Sequence, residues 1–317
     1  VAERLLAVQG QDPRGARLAV RARTAGLSAS DVDRALSEDR SLLIAWLNRG
    51  TLHLVRSEDY PWLHAVTAPP LLNESARRLK VEGISPRQGE RALAAIERAL
   101  ADEGPLSGAQ LRERLEAKGL PAHGQALSHL CFRAGVLGVL VRGPMSGSRH
   151  AYVLARDWLG APGPVDRDRA LAELARRYLA GHAPAGERDL AKWAGIPLRD
   201  ARAALAAIGS ETEEGEDGLL RPVGFPPAAE IPRPRLLGAF DPVLLGWTSR
   251  EEITGRHTEL ITTNGLFRPF AMVDGRAAAT WRLAKGRVAI EPLGRLGKAA
   301  RQALEEDAAD VERFMAG

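Results

Sequence analysis

The sequence holds one cysteine, Cys131, in 317 residues. That excludes internal disulfides and any zinc centre built from several thiolates, and it fits a reducing, cytoplasmic compartment. No apolar run approaches the roughly 20 residues that a membrane helix needs, so no membrane partner is expected. No charged-then-apolar leader opens the chain, whose first residues, Val1-Ala2-Glu3, look trimmed. The common enzyme signatures are missing as well. There is no Gly-x-Gly-x-x-Gly, no P-loop, no His-Glu-x-x-His and no Gly-x-Ser-x-Gly. No set of histidines and carboxylates has ligand spacing, and the expectation is that neither metal nor cofactor is used.

Lysine is scarce too, confined to Lys80, Lys118, Lys192, Lys285 and Lys298. The basic side is therefore almost all arginine, and the net charge of +4 goes with a pI near 9.5. Arginine suits bidentate phosphate contacts. A genome rich in G and C would raise the arginine total by itself, so position has to carry the argument. Arg14, Arg17, Arg21 and Arg23 crowd one short segment. No acidic residue lies between Glu116 and Asp157, a stretch that holds Lys118, His123, His129, Arg133, Arg142, Arg149, His150 and Arg156. By contrast, Glu211, Glu213, Glu214, Glu216 and Asp217 form an acidic run. A polyanion is attracted to the first two stretches and repelled by the third.

Periodicity divides the chain into four parts. Residues 86–158 read as a helix through Arg91–Leu100, a second helix over Gly108–Ala117 capped by Ser107, and a third over His123–Ala134. Two strand-like segments follow, Leu137–Arg142 and His150–Ala155, around the turn Gly143–Arg149. Three helices and a hairpin make a winged-helix pattern. A shorter version precedes it: a helix from Asp31, a helix around Leu42–Leu47 and a strand over Thr51–Val55. A third version follows, with helices at Arg169–Leu179, Arg188–Ala194 and Leu198–Ile208 and a hairpin turning at Glu214–Gly218. Gly160–Pro164 is the joint between the second and third. Five prolines from Pro222 to Pro234 then mark an extended linker. Beyond them the period changes to two: strands are expected over Glu259–Thr263, Leu266–Val273, Arg276–Leu283 and Arg287–Glu291, with Asn264-Gly265, Asp274-Gly275 and Lys285-Gly286 at the turns. A helix over Leu296–Phe314 ends the chain. The expected fold is α+β and mainly α. It comprises a segment 1–79 with N-terminal helices and a first winged helix, a second winged helix at 80–160, a third at 161–224, and a β-meander or partial barrel with the terminal helix at 225–317.

One short segment stands apart. In Leu5-Leu6-Ala7-Val8-Gln9-Gly10-Gln11-Asp12-Pro13, an apolar helix is expected to run into Gln9, and Pro13 to end or redirect the chain. Two glutamines flanking one glycine in non-helical backbone can point the same way. Their amide oxygens can hold a water and their nitrogens can donate to phosphate or sugar oxygens. The plainer alternative is a polar helix terminus that satisfies loop backbone.

Gln9-Gly10-Gln11, Arg49-Gly50-Thr51-Leu52-His53-Leu54-Val55, Phe240-Asp241-Pro242-Val243-Leu244-Leu245, Asn264-Gly265-Leu266-Phe267-Arg268-Pro269, and Val273-Asp274-Gly275-Arg276 leading to Thr280-Trp281-Arg282 occur in that order. Together they resemble the bacterial winged-helix DNA glycosylases of the AlkZ/YcaQ type, across nearly the whole chain. The resemblance implies three tandem winged helices with a C-terminal β-region around a DNA-sized channel. In that family a Gln-x-Gln or Gln-x-Asp pair marks the catalytic centre, which carries the catalytic role onto Gln9 and Gln11. Glutamine at both ends is similar to the AlkZ branch, which removes bulky alkylated purines and unhooks interstrand crosslinks. Gly10 departs from the larger middle residue usual in the family.

The implied activity is a monofunctional DNA N-glycosylase of base excision repair, acting on cationic N7-alkylated purines. The implied partner is double-stranded DNA carrying that damage, bound by a cytoplasmic, nucleoid-associated monomer. A lyase would need a lysine near the site, and none lies within residues 1–79. The candidate DNA contacts are Arg14, Arg17, Arg21, His53, Arg142, Arg149, Arg268 and Arg276. His53 sits on an apolar strand, where a satisfied core histidine is the ordinary reading. Asp12 reads as a loop cap with Pro13, or as a substitute base. Two other classes stay open on the residues alone. One is a non-catalytic winged-helix transcriptional regulator, which has no reason to carry Gln-Gly-Gln; the other is a protein-binding scaffold.

Overall fold

The computed structural model describes residues 1–147, 149–161, 163–226, 231–262 and 265–317. The chain is mixed α/β and divides into two compact units, each made of separate stretches. One comprises residues 1–32, 176–193 and 208–317, the other residues 33–175 and 194–207. These units cut across the four segments read from the sequence. Among the described residues no helix is long and apolar enough to cross a membrane.

In the unit built on residues 33–175, local signals set the helices. Ser85 and Gln88 form a reciprocal capping box at the start of the helix Pro86–Glu103, and Ser107 and Gln110 do the same for Gly108–Glu116. With the helix Ala126–Val136 they enclose a core of Ile96, Leu100, Leu111, Leu115, Leu127, Leu130 and Cys131. Burial pushes the Cys131 thiol up to about 12, so it is an inert hydrophobe here. The helix expected around Leu42–Leu47 is instead a strand, Leu42–Trp46, paired antiparallel with Leu52–Arg56. Leu43, Ile44 and Ala45 are all buried, so both faces of the strand are covered. A short apolar run covered on both sides has no period to betray it.

The same strand pairs at Ile44↔Arg142 with the hairpin Leu140–Ser146 and Arg149–Leu154. Strands from two sequence segments thus share one sheet. Trp46 seals the join. It stacks on Tyr152 at 6.4 Å between ring centroids and meets Phe132 edge-on at 6.1 Å. A Cβ at Gly135 would lie 2.6 Å from the Trp46 ring, so only glycine admits it. The strand Leu140–Ser146 also absorbs most of the expected turn Gly143–Arg149, of which Ser148 lies outside the described residues.

In the other unit, strands 287–292, 276–284, 270–273 and 235–237 form an antiparallel sheet in that order. The helix Lys298–Ala316 packs on it through Leu304 and Val311, with Trp281, Leu236 and Leu18. The strand Arg235–Leu237 lies at the end of the segment read as a linker; Pro227 of that segment lies outside the described residues, as does Pro162 of the expected joint. Glu259–Thr263 does not form the expected strand over its described part: Thr258–Leu260 is a single 3-10 turn. The strand expected from Leu266 begins at Phe270, after an isolated bridge between Ile261 and Phe267. Asn264, half of the Asn-Gly turn, is outside the described residues. The elements of the third helix-and-hairpin segment occur in the expected order: Arg167–His182, Glu187–Ala194, Leu198–Ala207, then the strands Thr212–Glu214 and Leu220–Pro222.

Candidate active site

The glutamine segment is shaped by a helix that stops early. The helix covers only Ala2–Leu5, and Leu6 takes a left-handed conformation with φ 63°. The chain then extends through the strand Val8–Gln9, so Gln9 sits on a strand and not on a helix end. Pro13 opens the next helix, Pro13–Arg21, at its first position, where a missing N–H costs nothing. The Asp12 carboxylate caps that helix, accepting from the Arg14 amide at 3.1 Å. Asp12 is thereby a cap in the structure.

Gln9 is 7% exposed, and its Oε1 accepts no hydrogen bond among the described residues. Gln11, two residues on, is exposed. A buried carbonyl oxygen without a donor costs about 1–3 kcal/mol, so the protein holds an acceptor ready for an external donor such as water. Both glutamines are neutral and uncharged at any working pH. Such a pair can orient a water and face developing positive charge with carbonyl dipoles, but it cannot act as a strong base.

The structure sorts the expected DNA contacts. Arg14 is exposed beside the glutamines. Arg17 is enclosed and turns back on its own helix, donating to the Pro13 carbonyl at 2.7 Å. Arg21 is 2% exposed. It donates to Asp307 Oδ2 at 2.7 Å and to the carbonyls of Leu236 and Asp307 at 3.1 and 3.2 Å, with Asp310 at 3.3 Å. Burial lowers the pKa of the Arg21 guanidinium, and Asp307 and Asp310 oppose that shift. Arg17 and Arg21 are therefore corrections to the arginine cluster, since a helix of nine residues turns its arginines to different sides. Arg23 is likewise committed, bidentate to the fully buried Asp241 at 2.7 and 2.9 Å. Asp241 also caps Val243 N, which accounts for the Phe240-Asp241-Pro242 signature as a structural clasp.

Arg268 and Arg276 are exposed in the same unit. Phe267 is packed, 5.4 Å from the Phe240 ring and beneath the Arg250 guanidinium at 5.2 Å, whereas its neighbour Leu266 is 55% exposed. The remaining candidates belong to the other unit. His53 is buried, with Nδ1 3.0 Å from the Thr51 carbonyl. Burial, with a smaller effect of the Arg49 charge, lowers its pKa to about 3. It is a neutral core histidine and is corrected as a phosphate contact. Arg142 lies at the base of its hairpin, over the rings of Trp46 and Tyr152 at 5.0 and 4.9 Å, and donates to the Tyr152 hydroxyl at 3.0 Å. It too is a correction, because the bulge between Arg142 and Met145 and the longer strand leave it far from the turn. Arg149, next to the turn, is exposed.

Sequence reasoning passed over Asn48, fully buried with neither side-chain amide atom hydrogen-bonded among the described residues. Its only sequence signal is Asn-Arg-Gly between two apolar runs, which marks a turn.

Against known proteins, a family model described as AlkZ-like DNA glycosylase matches residues 2–314. The interstrand DNA cross-link repair glycosylase of Streptomyces sahachiroi is 28% identical over 348 aligned positions, covering 99% of this chain and 89% of that protein. The solved structure of the Streptomyces sahachiroi DNA glycosylase AlkZ matches with a TM-score of 0.82 at 25% identity, over 99% of this chain and 90% of that one.

Proposed function

The chain belongs to the AlkZ-like family of DNA glycosylases, and on that premise we propose that Gln9 and Gln11 hold the water that hydrolyses the N-glycosidic bond of N7-alkylated purines in duplex DNA. The observation that carries this reading is the buried Gln9 Oε1, which has no donor among the described residues. An N7-alkylpurine is a cationic leaving group with a weakened glycosidic bond, so the enzyme needs little acid catalysis. It has to place water at C1′ and stabilise an oxocarbenium-like transition state, and preorganised carbonyl dipoles do both. Unmodified purines, with a poor leaving group, are then poor substrates. No lysine is drawn into the chemistry, so the enzyme is a monofunctional hydrolase. The relative named for interstrand cross-link repair supports crosslinked purines as a second substrate. A crosslinked base cannot rotate freely, so flipping is not required of the mechanism.

The tandem winged-helix reading, with segments 1–79, 80–160, 161–224 and 225–317 and the last a meander or partial barrel, is part of this proposal. So is a monomer that works on chromosomal DNA. In the same reading the exposed Arg14, Arg149, Arg268 and Arg276 take phosphates, and Leu266 is the apolar tip that presses on the damaged step. The regulator alternative is set aside by the family.

The test is an oligonucleotide with a single N7-methylguanine, incubated with excess protein and cleaved with alkali. Strand scission at the lesion, and none at ordinary guanines, is the expected result. No scission at any enzyme excess would defeat the reading.

A further inference from the structure

The glutamine chemistry makes no use of Arg49, the first residue of one of the sequence signatures. Arg49 lies in the 3-10 turn Asn48–Gly50 that joins the strands Leu42–Trp46 and Leu52–Arg56. The turn is closed by backbone bonds from Gly50 N to the Leu47 carbonyl at 2.7 Å and from Leu47 N to the Thr51 carbonyl at 3.1 Å. Inside it Arg49 has φ 57° and ψ 14°, the left-handed region that suits glycine or asparagine. A turn selected for stability alone would carry one of those residues there. This chain has asparagine one position earlier and glycine one position later, and puts a long cationic side chain at the strained site.

The surroundings are shaped to keep it so. A Cβ at Gly195 would lie 2.5 Å from Arg49 N and 2.9 Å from its Cα, so the absent side chain lets the turn seat against that glycine. At Gly50, with φ 71°, a Cβ would meet Leu71 and Phe132 at 3.3 Å. Beside Arg49, the Asn48 amide is fully buried, and neither Oδ1 nor Nδ2 has a partner among the described residues, polar capacity that a purely structural turn would use. Arg49 is half-buried, and its charge, after burial, helps keep His53 neutral.

We infer that the Asn48–Gly50 turn is a preorganised phosphodiester site, in which the Arg49 guanidinium positions the DNA backbone for excision. The inference rests on the glycosylase reading and deepens it. Strain held at a non-glycine residue is retained where the side chain is needed. The planar fork of arginine matches two phosphate oxygens, and its fixed backbone reduces the freedom lost on binding.

The decisive variant is Arg49→Gly, because glycine relieves the left-handed conformation while removing the contact. The expected result is an unchanged or higher Tm together with about tenfold weaker binding to undamaged duplex, within the range of one charge-assisted hydrogen bond. The log–log salt dependence should become shallower by about one. Arg49→Lys, which keeps the charge and the stem, should restore the salt slope but only part of the affinity. Wild-type affinity and slope in Arg49→Gly would overturn the site. If Arg49→Gly loses stability, the stem is structural and Arg49→Lys decides, since unchanged affinity there overturns the bidentate contact. Wild-type excision of N7-methylguanine is measured alongside. Its absence counts against the glycosylase reading, while the undamaged-duplex arm still decides the fate of Arg49.

Discussion

Replacing Arg21 with alanine separates a structural arginine from a DNA-binding one. The Arg21 side chain is 1% exposed and that of its partner Asp307 is 4% exposed. The substitution strips Asp307 of its 2.7 Å ion pair and leaves the Leu236 and Asp307 carbonyls without that donor. Asp307 keeps the Leu236 amide at 2.7 Å and Arg235 at 2.8 Å, so its charge is only partly uncompensated. Breaking a buried pair by removing one partner costs about 3–5 kcal/mol. The remaining partners of Asp307 place the loss near the lower end, and the lost burial of two methylenes adds roughly 1.5 kcal/mol. A net loss of about 4.5 kcal/mol lowers Tm by roughly 7 °C. Urea unfolding gives the stability, and DNA binding is titrated against salt at a temperature where the variant is folded. The salt slope should equal that of wild type. In a cycle, Arg21→Met with Asp307→Asn should cost less than the sum of the single changes, because the stranded charge is gone. A stability loss below about 1 kcal/mol, with a salt slope shallower by about one, would refute the reasoning and return Arg21 to the DNA surface.

Gln11→Ala should lower single-turnover excision of N7-methylguanine by about 10²-fold or more with little change in DNA affinity; parallel losses of rate and affinity would make the glutamine a binding residue. Arg149→Ala should make the salt dependence of binding shallower by about one, whereas Arg142→Ala should lower Tm through the lost contacts with Trp46 and Tyr152, and an equal effect of both on the slope would contradict their placement. Between its folded pKa of about 3 and its ordinary 6.5, His53 is unprotonated in the folded protein and protonated in the unfolded chain. Stability should therefore fall as pH drops below about 6.5, by up to roughly 1.4 kcal/mol per pH unit for this one proton. His53→Gln should flatten urea-derived stability between pH 6.5 and 4.5, and an unaltered slope would mean that the ring takes up its proton while folded.

The sequence was most legible where the signal is local. Ser85 with Gln88 and Ser107 with Gln110 mark helix starts by chemistry confined to four residues, and both boundaries follow. The strands after Asp274-Gly275 and Lys285-Gly286 follow from turns that demand a positive φ at these positions. Leu42–Trp46 has no period to set it apart from a helix because the run is apolar throughout, and what makes it a strand is its partners at residues 52–56 and 142. The site was legible as a motif, Gln9-Gly10-Gln11, but not as an environment. That Gln9 would be buried and Gln11 exposed depends on Leu6 breaking the first helix and Pro13 starting the next.

Charge shows the same division most sharply. By itself the sequence determined the helices with their caps, the β-meander turns, the acid-free stretch, and the ordered signatures that place the chain in its family. These depend on neighbours along the chain or on residue identity. Only the tertiary structure decided which of these arginines are paired inside the protein and which face solvent. Arg14, Arg17, Arg21 and Arg23 look alike in sequence, yet Arg21 lies against Asp307 and Arg23 against Asp241, more than two hundred residues away. Arg17 bonds its own helix and Arg14 faces solvent. A guanidinium buried beside a carboxylate has already spent its charge and donors, and that pairing is set by distance in space, which no local pattern encodes.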